Sequence, residues 1–416
     1  MEFADLRYGM FVHFGVFSTL ARGEWVMNRE AITPDEMRKI AARFNPEKFN
    51  ADEICQLAVD GGMKYIVFTT MHHEGFRMYN TALSDYNIYK NTGRDLVREV
   101  VDAARKHGLK IGLYHSLNNW FDQPDAVAAL ENKDSYDLFI RNTFARLEEL
   151  FNIFAPVDIC WYDGWWPFNS DQWQAEKMNA ALKNIQSDLL FNGRNGLPGD
   201  FGTPEQHLTA PSPWRPWEAC VTLNNHWGYY ENDNCWKSPQ DVINMLLTCG
   251  SGRGNLLLNI GPRGDGTVPE ESVKIIRAVG QWLREGGAEA IANCEKFSFS
   301  PMIPQPDDRG DWDPHGRITV SGNNMYYTLM YPRSSMTVSG LQMNVKRISS
   351  YGLPDLDFTQ NGGKITVTLP EELSRRLCPV LKFECDAPPA IYRTGGMRVP
   401  QCRHPRYDPV LPDIQY

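Results

Sequence analysis

The sequence predicts an α/β protein: an irregular (β/α)8-type (TIM-like) barrel followed by a C-terminal antiparallel β-sandwich. Three observations predict it. Short apolar runs alternate with amphipathic helical patterns up to about residue 295. Those runs are apolar throughout, as strands buried on both faces of a parallel sheet require. Near residue 296 the helical patterns stop and β-type alternation takes over. The expected domains are therefore a barrel over 1–295 and a sandwich with a Pro-rich tail over 296–416.

The strand candidates of the first part are GMFVHFG (9–15), YIVFTT (65–70), KIGLYHS (110–116), DICWYDG (158–164), LLFNGR (189–194), CVTLNN (220–225) and NLLLNIG (255–261). Amphipathic helices are expected between them. GRDLVREVVDAARKHG (93–108) carries Leu96, Val97, Val100, Val101 and Ala104 at helical spacing, and His107-Gly108 closes it. SPQDV (238–242) starts with a serine cap and a proline at the first helical position. A doubly wound open sheet is the competing arrangement. A dinucleotide-binding version would need G-x-G-x-x-G after an early strand, and the first strand is followed by HFGVFSTLARGEW. The eighth strand has only a weak candidate, so the barrel is expected to be irregular.

Beyond residue 296, RITVSGNNMYYTLMY (317–331), VKRISSYG (345–352), LDFTQNGGKITVTLP (356–370) and PVLKFECD (379–386) read as strands. Asn361-Gly362-Gly363 is a hairpin signal. Of the twelve tryptophans only Trp312 follows Trp282, which marks the same boundary. The tail CRHPRYDPVLPDIQY is expected to wrap the surface.

Composition excludes several classes of function. A net charge of −9 with no basic run argues against nucleic-acid binding. No stretch approaches the ~20 apolar residues of a membrane span. Nine scattered cysteines without C-x-x-C fit a reduced compartment and give no zinc spacing. The N-terminus MEFADLRYGMFVHFG shows no signal-peptide pattern. A cytoplasmic location is expected for the chain as it stands, and a secreted or periplasmic one if a leader has been removed.

In a barrel the carboxyl ends of the strands build the active site. Strand one ends in His13, and strand two just before Met71-His72-His73-Glu74. Strand three ends in His115, with Trp120 following, and strand four in Asp163, flanked by Trp161, Trp165 and Trp166. Strand five ends in Arg194, and the loop after it carries Glu205. Strand six follows Glu218 and leads into His226-Trp227-Gly228-Tyr229. Taken singly, a strand-end histidine is usually a structural hydrogen-bonder, and an Asp before Gly a turn or capping residue. Their convergence on one rim is what points to a site. Aromatic faces stack on sugar C–H surfaces, while neutral His, Arg and carboxylates bond hydroxyls. Two carboxylates can cleave a glycosidic bond, one attacking the anomeric carbon and the other protonating the leaving oxygen. His72-His73-Glu74 invites a metal reading, but H-E-x-x-H is absent and adjacent strand residues face opposite ways. No metal and no organic cofactor are expected.

The stretches RYGMFVHFGVFS, GEWVMN, FTTMHHEGF, SDYN, GLYHSLNNW, WYDG, GDFGTPEQ, WEACVTLNNHWGY and GNLLLNIGPRGDG, in this order over residues 7–266, resemble the α-L-fucosidases of glycoside hydrolase family 29. The likeness is greater to the branch of broad linkage specificity. The resemblance implies an irregular barrel with a C-terminal β-sandwich and a retaining exo-α-L-fucosidase. It implies Asp163 as nucleophile and Glu205 as acid/base, with Glu218 as second choice and Glu24 a candidate in some relatives. It implies His13, Glu24, Trp25, His72, His73, His115, Trp161 and Arg194 as residues that bind sugar hydroxyls or orient Asp163. Trp227 and Tyr229 are expected near the pocket wall, against the C5 methyl. The implied substrate is a fucosylated oligosaccharide or glycoconjugate. The chain departs from the family pattern at Glu74, where many relatives have Asp, at Met71, where Lys is common, and at His115, where some have Tyr. Two other readings stay open at this point: a carbohydrate-binding barrel without activity, and a retaining exo-glycosidase for a related sugar such as an α-galactoside.

Overall fold

The structure is a computed structural model that describes residues 2–123, 125–211, 214–292, 295–296, 315–331 and 333–390. It divides into two compact units. One comprises 1–206, 211–238 and 255–280, the other 207–210, 239–254 and the described residues from 281 onward.

The first unit is built on a curled parallel sheet of β1 (Tyr8–Val12), β2 (Tyr65–Met71), β3 (Lys110–Ser116), β4 (Ile159–Asp163), β5 (Leu190–Phe191), β6 (Glu218–Thr222) and β7 (Asn255–Ile260). The order is β5-β4-β3-β2-β1-β7-β6. Every residue of β1, β2, β4, β6 and β7 is buried, which is why these segments read as unbroken apolar runs. The helices between them start where their caps dictate. Thr33 and Glu36 form a capping box at Pro34–Ala41, Asn50 caps Ala51–Asp60, and Asp95 caps Leu96–Lys106. In the last, Leu96, Val97, Val100, Val101 and Ala104 are buried, and the helix packs on β2 and β3.

The place of an eighth strand is taken by an irregular extended segment. β5 has only two residues, and residues 200–206 bridge the gap from it to β6. Asp200 N donates to Phe191 O at 2.7 Å, and Glu218 N donates to Gly202 O at 2.9 Å. Cys220 N then donates to Pro204 O at 3.0 Å, and Gln206 N to Cys220 O at 3.0 Å. Phe201 from this segment joins Phe11, Tyr65, Tyr114, Ile159, Trp161 and Leu257 in the interior.

The second unit holds two antiparallel sheets. β8 (Glu295–Lys296), β9 (Gly316–Ser321), β10 (Asn324–Leu329), β12 (Val345–Ser350) and β15 (Val380–Cys385) run in the order β12-β15-β10-β9-β8. β11 (Ser335–Val338), β13 (Phe358–Asn361) and β14 (Lys364–Thr368) form the second sheet, in the order β11-β14-β13. Met325, Tyr327, Ile348, Ile365, Val367, Leu381 and Phe383 are the fully buried centre. The Asn361-Gly362-Gly363 turn joins β13 to β14 as expected. Strand β11 escapes a reading by pattern, because only Met336 and Val338 alternate inward in its four residues. The unit also contains the helix Pro239–Ser251, whose Asn244 and Thr248 accept from Arg317 at 3.2 and 3.0 Å. Trp312 and the tail CRHPRYDPVLPDIQY lie outside the described residues. Among the described residues no helix is long and apolar enough to cross a membrane.

Close helix packing in the barrel unit depends on Gly280. A Cβ there would stand 1.9 Å from the Asp60 carbonyl oxygen and 2.8 Å from Gly61 Cα, both backbone atoms that cannot rotate away. Gly280→Ala is expected to destabilise the protein by roughly 1–3 kcal/mol, read as a lower urea midpoint at unchanged slope. An unchanged midpoint would refute this account of the packing.

Candidate active site

Alternation along the strands decides which side chains meet. Trp161 and Asp163 are two residues apart on β4, so they share a face. In register on β3 stand Tyr114 opposite Trp161 and Ser116 opposite Asp163. The same inner side receives Phe11, and His13 just beyond β1, whose ring lies 4.3 Å from that of Phe11. Phe11, His13, Tyr114, Trp161 and Asp163, together with Trp25, His72, His73, Trp165, Trp166, Arg194, Glu205, Cys220 and Trp227, line a cavity of about 120 Å³. A larger hollow of about 770 Å³ is lined in part by Lys48, Asp52, Arg94, Glu99 and Lys106, all of them in ion pairs. Arg94 meets Glu99 at 2.6 Å, Lys106 meets Asp52 at 2.7 Å, and Lys48 meets Asp265 at 3.0 Å.

Asp163 is the most constrained carboxylate of the site. Its Oδ1 accepts from Arg194 Nη1 at 3.0 Å, and its Oδ2 from the Tyr114 hydroxyl at 2.8 Å. His73 Nε2 stands 3.7 Å from Oδ2. Burial alone would push this carboxyl up. The Arg194 charge and the hydrogen bonds from Tyr114 and Arg194 outweigh burial and hold it well below the usual carboxylate range. Burial and the Asp163 charge push the Tyr114 phenol well above its usual range, so it stays a donor.

Arg194 is fixed on every side. Its Nε donates to Thr203 Oγ1 at 3.0 Å, and its guanidinium lies 4.8 Å above the Trp161 ring. Its Nη2 meets Glu205 Oε2 at 2.8 Å. One guanidinium therefore binds both acids expected from the sequence. Asp163 is nearly enclosed, whereas the Glu205 side chain is 42% exposed on the irregular 200–206 segment. Trp25 and Trp166 stack at 5.9 Å and, with Trp120 edge-on to Trp25 at 5.0 Å, extend an aromatic wall.

Two of the pocket histidines, His13 and His73, are neutral bases. Burial, with His72 adding to it, pushes His13 down to about 3, against the hydrogen bond to Asn259. Burial and His72 likewise push His73 well below its usual range. His13 Nδ1 lies 2.7 Å from Asn259 Oδ1, and His73 Nδ1 2.6 Å from Ser116 Oγ.

Four expected site residues do not line the cavity. His115 alternates with Tyr114 and so faces the other way, its Nδ1 3.0 Å from Thr70 Oγ1. The aromatic of this strand that meets Asp163 is Tyr114, which only the register with β4 reveals. Glu218 is wholly buried in the barrel interior, accepting from Trp161 Nε1 at 2.9 Å and from the Tyr65 hydroxyl. The carboxyl of Glu218 thus sits behind the cavity floor rather than facing a sugar. Glu24 accepts from Gly228 N at 2.8 Å and ties the loop after β1 to the loop after β6. Tyr229 lies under Arg263, whose guanidinium is 5.5 Å from the ring. Among the described residues no group of three or more His, Cys, Asp or Glu is arranged to hold a metal ion.

A half-enclosed cavity at the carboxyl ends of barrel strands, walled by aromatics and holding two acids on one arginine, has the anatomy of a glycoside hydrolase. Comparison with known proteins narrows the class to a family. The α-L-fucosidase family model matches residues 1–288. The tissue α-L-fucosidase of Mus musculus is 31% identical over 409 residues, covering 89% of this chain and 87% of its own. The α-L-fucosidase isoenzyme 1 of Paenibacillus thiaminolyticus is 29% identical with a TM-score of 0.80, over 92% of this chain and 98% of its own. An α-L-fucosidase of family 29 from Bacteroides thetaiotaomicron, a trapped covalent intermediate in complex with 2-fluoro-fucosyl fluoride, is 25% identical with a TM-score of 0.76, over 92% and 95% of the two chains. The chain belongs to the α-L-fucosidases of glycoside hydrolase family 29.

Burial raises the Glu218 carboxyl to about 7, against the hydrogen bonds from Tyr65 and Trp161 and the charge of Arg194. A carboxyl raised by folding stabilises the fold below its unfolded value and loses that contribution as pH climbs to about 7. Glu218→Gln is therefore expected to gain in melting temperature on the wild type between pH 5 and pH 8. Its kcat is expected to fall by less than about tenfold, against the 10²–10⁴ of a lost general acid. A loss of that larger size in a folded variant would place Glu218 in the chemistry.

Proposed function

We propose that the protein is a retaining exo-α-L-fucosidase that releases terminal α-L-fucose from fucosylated oligosaccharides or glycoconjugates. Asp163 is the nucleophile and Glu205 the acid/base. The observation that carries this reading is the shared arginine. Asp163 and Glu205 bond sister nitrogens of Arg194 beside one cavity, which keeps the two acids within reach of a single sugar ring.

In the first step an Asp163 oxygen forms a bond to the anomeric carbon as the glycosidic C–O bond breaks. Glu205 gives its proton to the departing oxygen, leaving a fucosyl ester on Asp163. In the second step Glu205 takes a proton from water, the water oxygen attacks the anomeric carbon, and Asp163 departs as the carboxylate. Tyr114 and Arg194 keep Asp163 ionised for attack and stabilise it again as it leaves. Donating a proton requires Glu205 to leave Arg194, and its exposed position on the 200–206 segment gives it room to do so. The trapped covalent intermediate of the Bacteroides relative supports a double displacement here.

The cavity suits the sugar. Neutral imidazoles and Asp163 are hydrogen-bonding partners for ring hydroxyls. Phe11 and Trp227, whose rings are 5.8 Å apart, offer an apolar wall for a 6-deoxy methyl group. Such a wall cannot strongly reject an added hydroxyl, so slow cleavage of the corresponding galactoside is expected. The residues of this reading all come from the 1–295 domain, and the 296–416 domain is read as its support.

The test uses p-nitrophenyl α-L-fucoside. Asp163→Gly is expected to lose roughly 10⁴-fold or more in kcat and to be rescued by azide as the β-fucosyl azide, because azide then attacks the substrate directly with inversion. Glu205→Ala is expected to yield the α-fucosyl azide, because azide then attacks the ester on Asp163. Folded variants that give neither product would sink both assignments. A wild type that cleaves only other glycosides would sink the choice of sugar.

A further inference from the structure

We propose that Glu74 is a positioning residue for the reaction: it holds His72 as the Nδ1–H tautomer, so that Nε2 offers its lone pair to a sugar hydroxyl. The role rests on the fucosidase reading of the cavity.

The hydrogen-bond partners of His13 and His73 fix the tautomer of each. Asn259 Nδ2 donates to the Trp227 carbonyl at 2.7 Å, so Oδ1 is the Asn259 atom facing His13. That oxygen only accepts, and His13 Nδ1 must carry the hydrogen. Ser116 Oγ gives its one hydrogen to the Asn118 carbonyl at 2.7 Å. It therefore accepts from His73 Nδ1, which must carry a hydrogen too. Both rings are neutral, so each keeps Nε2 as an acceptor.

His72 completes the set, yet its holder is of a different kind. Its Nδ1 is buried without a hydrogen-bond partner, and the group facing it is Glu74 Oε2 at 3.6 Å. Glu74 is 1% exposed, and both its oxygens are buried without a partner. A wholly buried carboxyl with no donor is costly. The Nδ1–H of His72 is the donor that relieves it, once the pair closes a few tenths of an ångström. The chain makes room for this carboxyl at Gly15, where a Cβ would stand 2.9 Å from Glu74 Oε1. The titratable groups acting on the pair are His13 and His73 on the imidazole side, and Tyr86 and Tyr114 on the carboxyl side. Glu74 itself does not line the cavity, so it acts through His72.

A carboxylate behind an imidazole makes the far nitrogen a stronger acceptor than a neutral holder does. An amide at position 74 can instead donate to Nδ1, which moves the hydrogen to Nε2 and turns the acceptor away from the sugar.

The experiment is ¹⁵N spectroscopy of histidine-labelled wild-type enzyme, together with kinetics and fucose binding of Glu74→Gln and Glu74→Asp. The His72 signal is assigned by its loss in His72→Gln. The wild type is expected to show the hydrogen of His72 on Nδ1. Glu74→Gln is expected to move it to Nε2 and to raise KM and the Kd for fucose about tenfold or more, with a smaller change in kcat. Glu74→Asp is expected to restore both. A wild-type His72 protonated at Nε2 alone overturns the proposal without any variant, and so does a folded Glu74→Gln with unchanged His72 signals and unchanged fucose binding. The spectra and fucose binding stand apart from turnover, so failure on α-L-fucosides would count against the functional reading and leave this one to its own evidence.

Discussion

A buried guanidinium between two carboxylates is the constraint on which the site depends. Arg194 sits in the barrel interior, where an unpaired charge is costly, and a buried cation is tolerated only where acids and acceptors surround it. Asp163, Glu205 and Thr203 supply them, and the Trp161 ring supplies a face below. The dependence is mutual. Asp163 stays ionised in a buried place because Arg194 and Tyr114 hold it so. Trp161 in turn is held by Glu218 beneath it. The position of Asp163 thus descends through side chains from β3, β4 and the segments around β5 and β6.

The irregular closure of the barrel serves the same end. A regular eighth strand would lock residues 200–206 into a ladder on both edges. One backbone bond, from Asp200 N, ties the segment to β5, whereas Gly202, Pro204 and Gln206 all bond with β6. Gly199 lets the chain turn with φ +67°, where a Cβ would lie 2.5 Å from the Asn192 carbonyl. The result is one acid on a strand tip paired within the sheet and the other on a stretch paired along one edge. The double displacement proposed for Asp163 and Glu205 uses that asymmetry, because a nucleophile must be aimed while an acid/base must exchange protons with leaving group and water.

Much of this was legible in the sequence, and the reasons differ by element. The barrel strands were visible because both faces are buried and their apolar runs are continuous. The hairpin at Asn361-Gly362-Gly363 was visible from its turn chemistry. Asp163 stood out because an acid closes an aromatic strand. What pattern could not supply was direction. His115 and Tyr114 are neighbours on β3, and only the register with β4 says that Tyr114 faces Asp163. Glu218 stood as second choice for the acid/base on the family resemblance alone. It occupies the start of β6 instead, at the closed end of the interior. Single-residue bridges such as Gly202 to Trp217 carry no periodic signal, so the closing segment read as a loop.

The charge balance of the cavity follows from these placements and bears on what it can bind. The imidazoles of His13 and His73 are held neutral by burial, while Arg194 and Tyr114 hold Asp163 ionised. Arg194 offsets the charge of Asp163. A neutral sugar enters such a site without a charge penalty. In the proposed reaction positive charge grows on the ring as the glycosidic bond stretches, and the ionised Asp163 is the group that meets it. The preference is therefore for the transition state over the bound sugar. It arises from the same arginine–carboxylate contact that keeps the interior of the barrel stable.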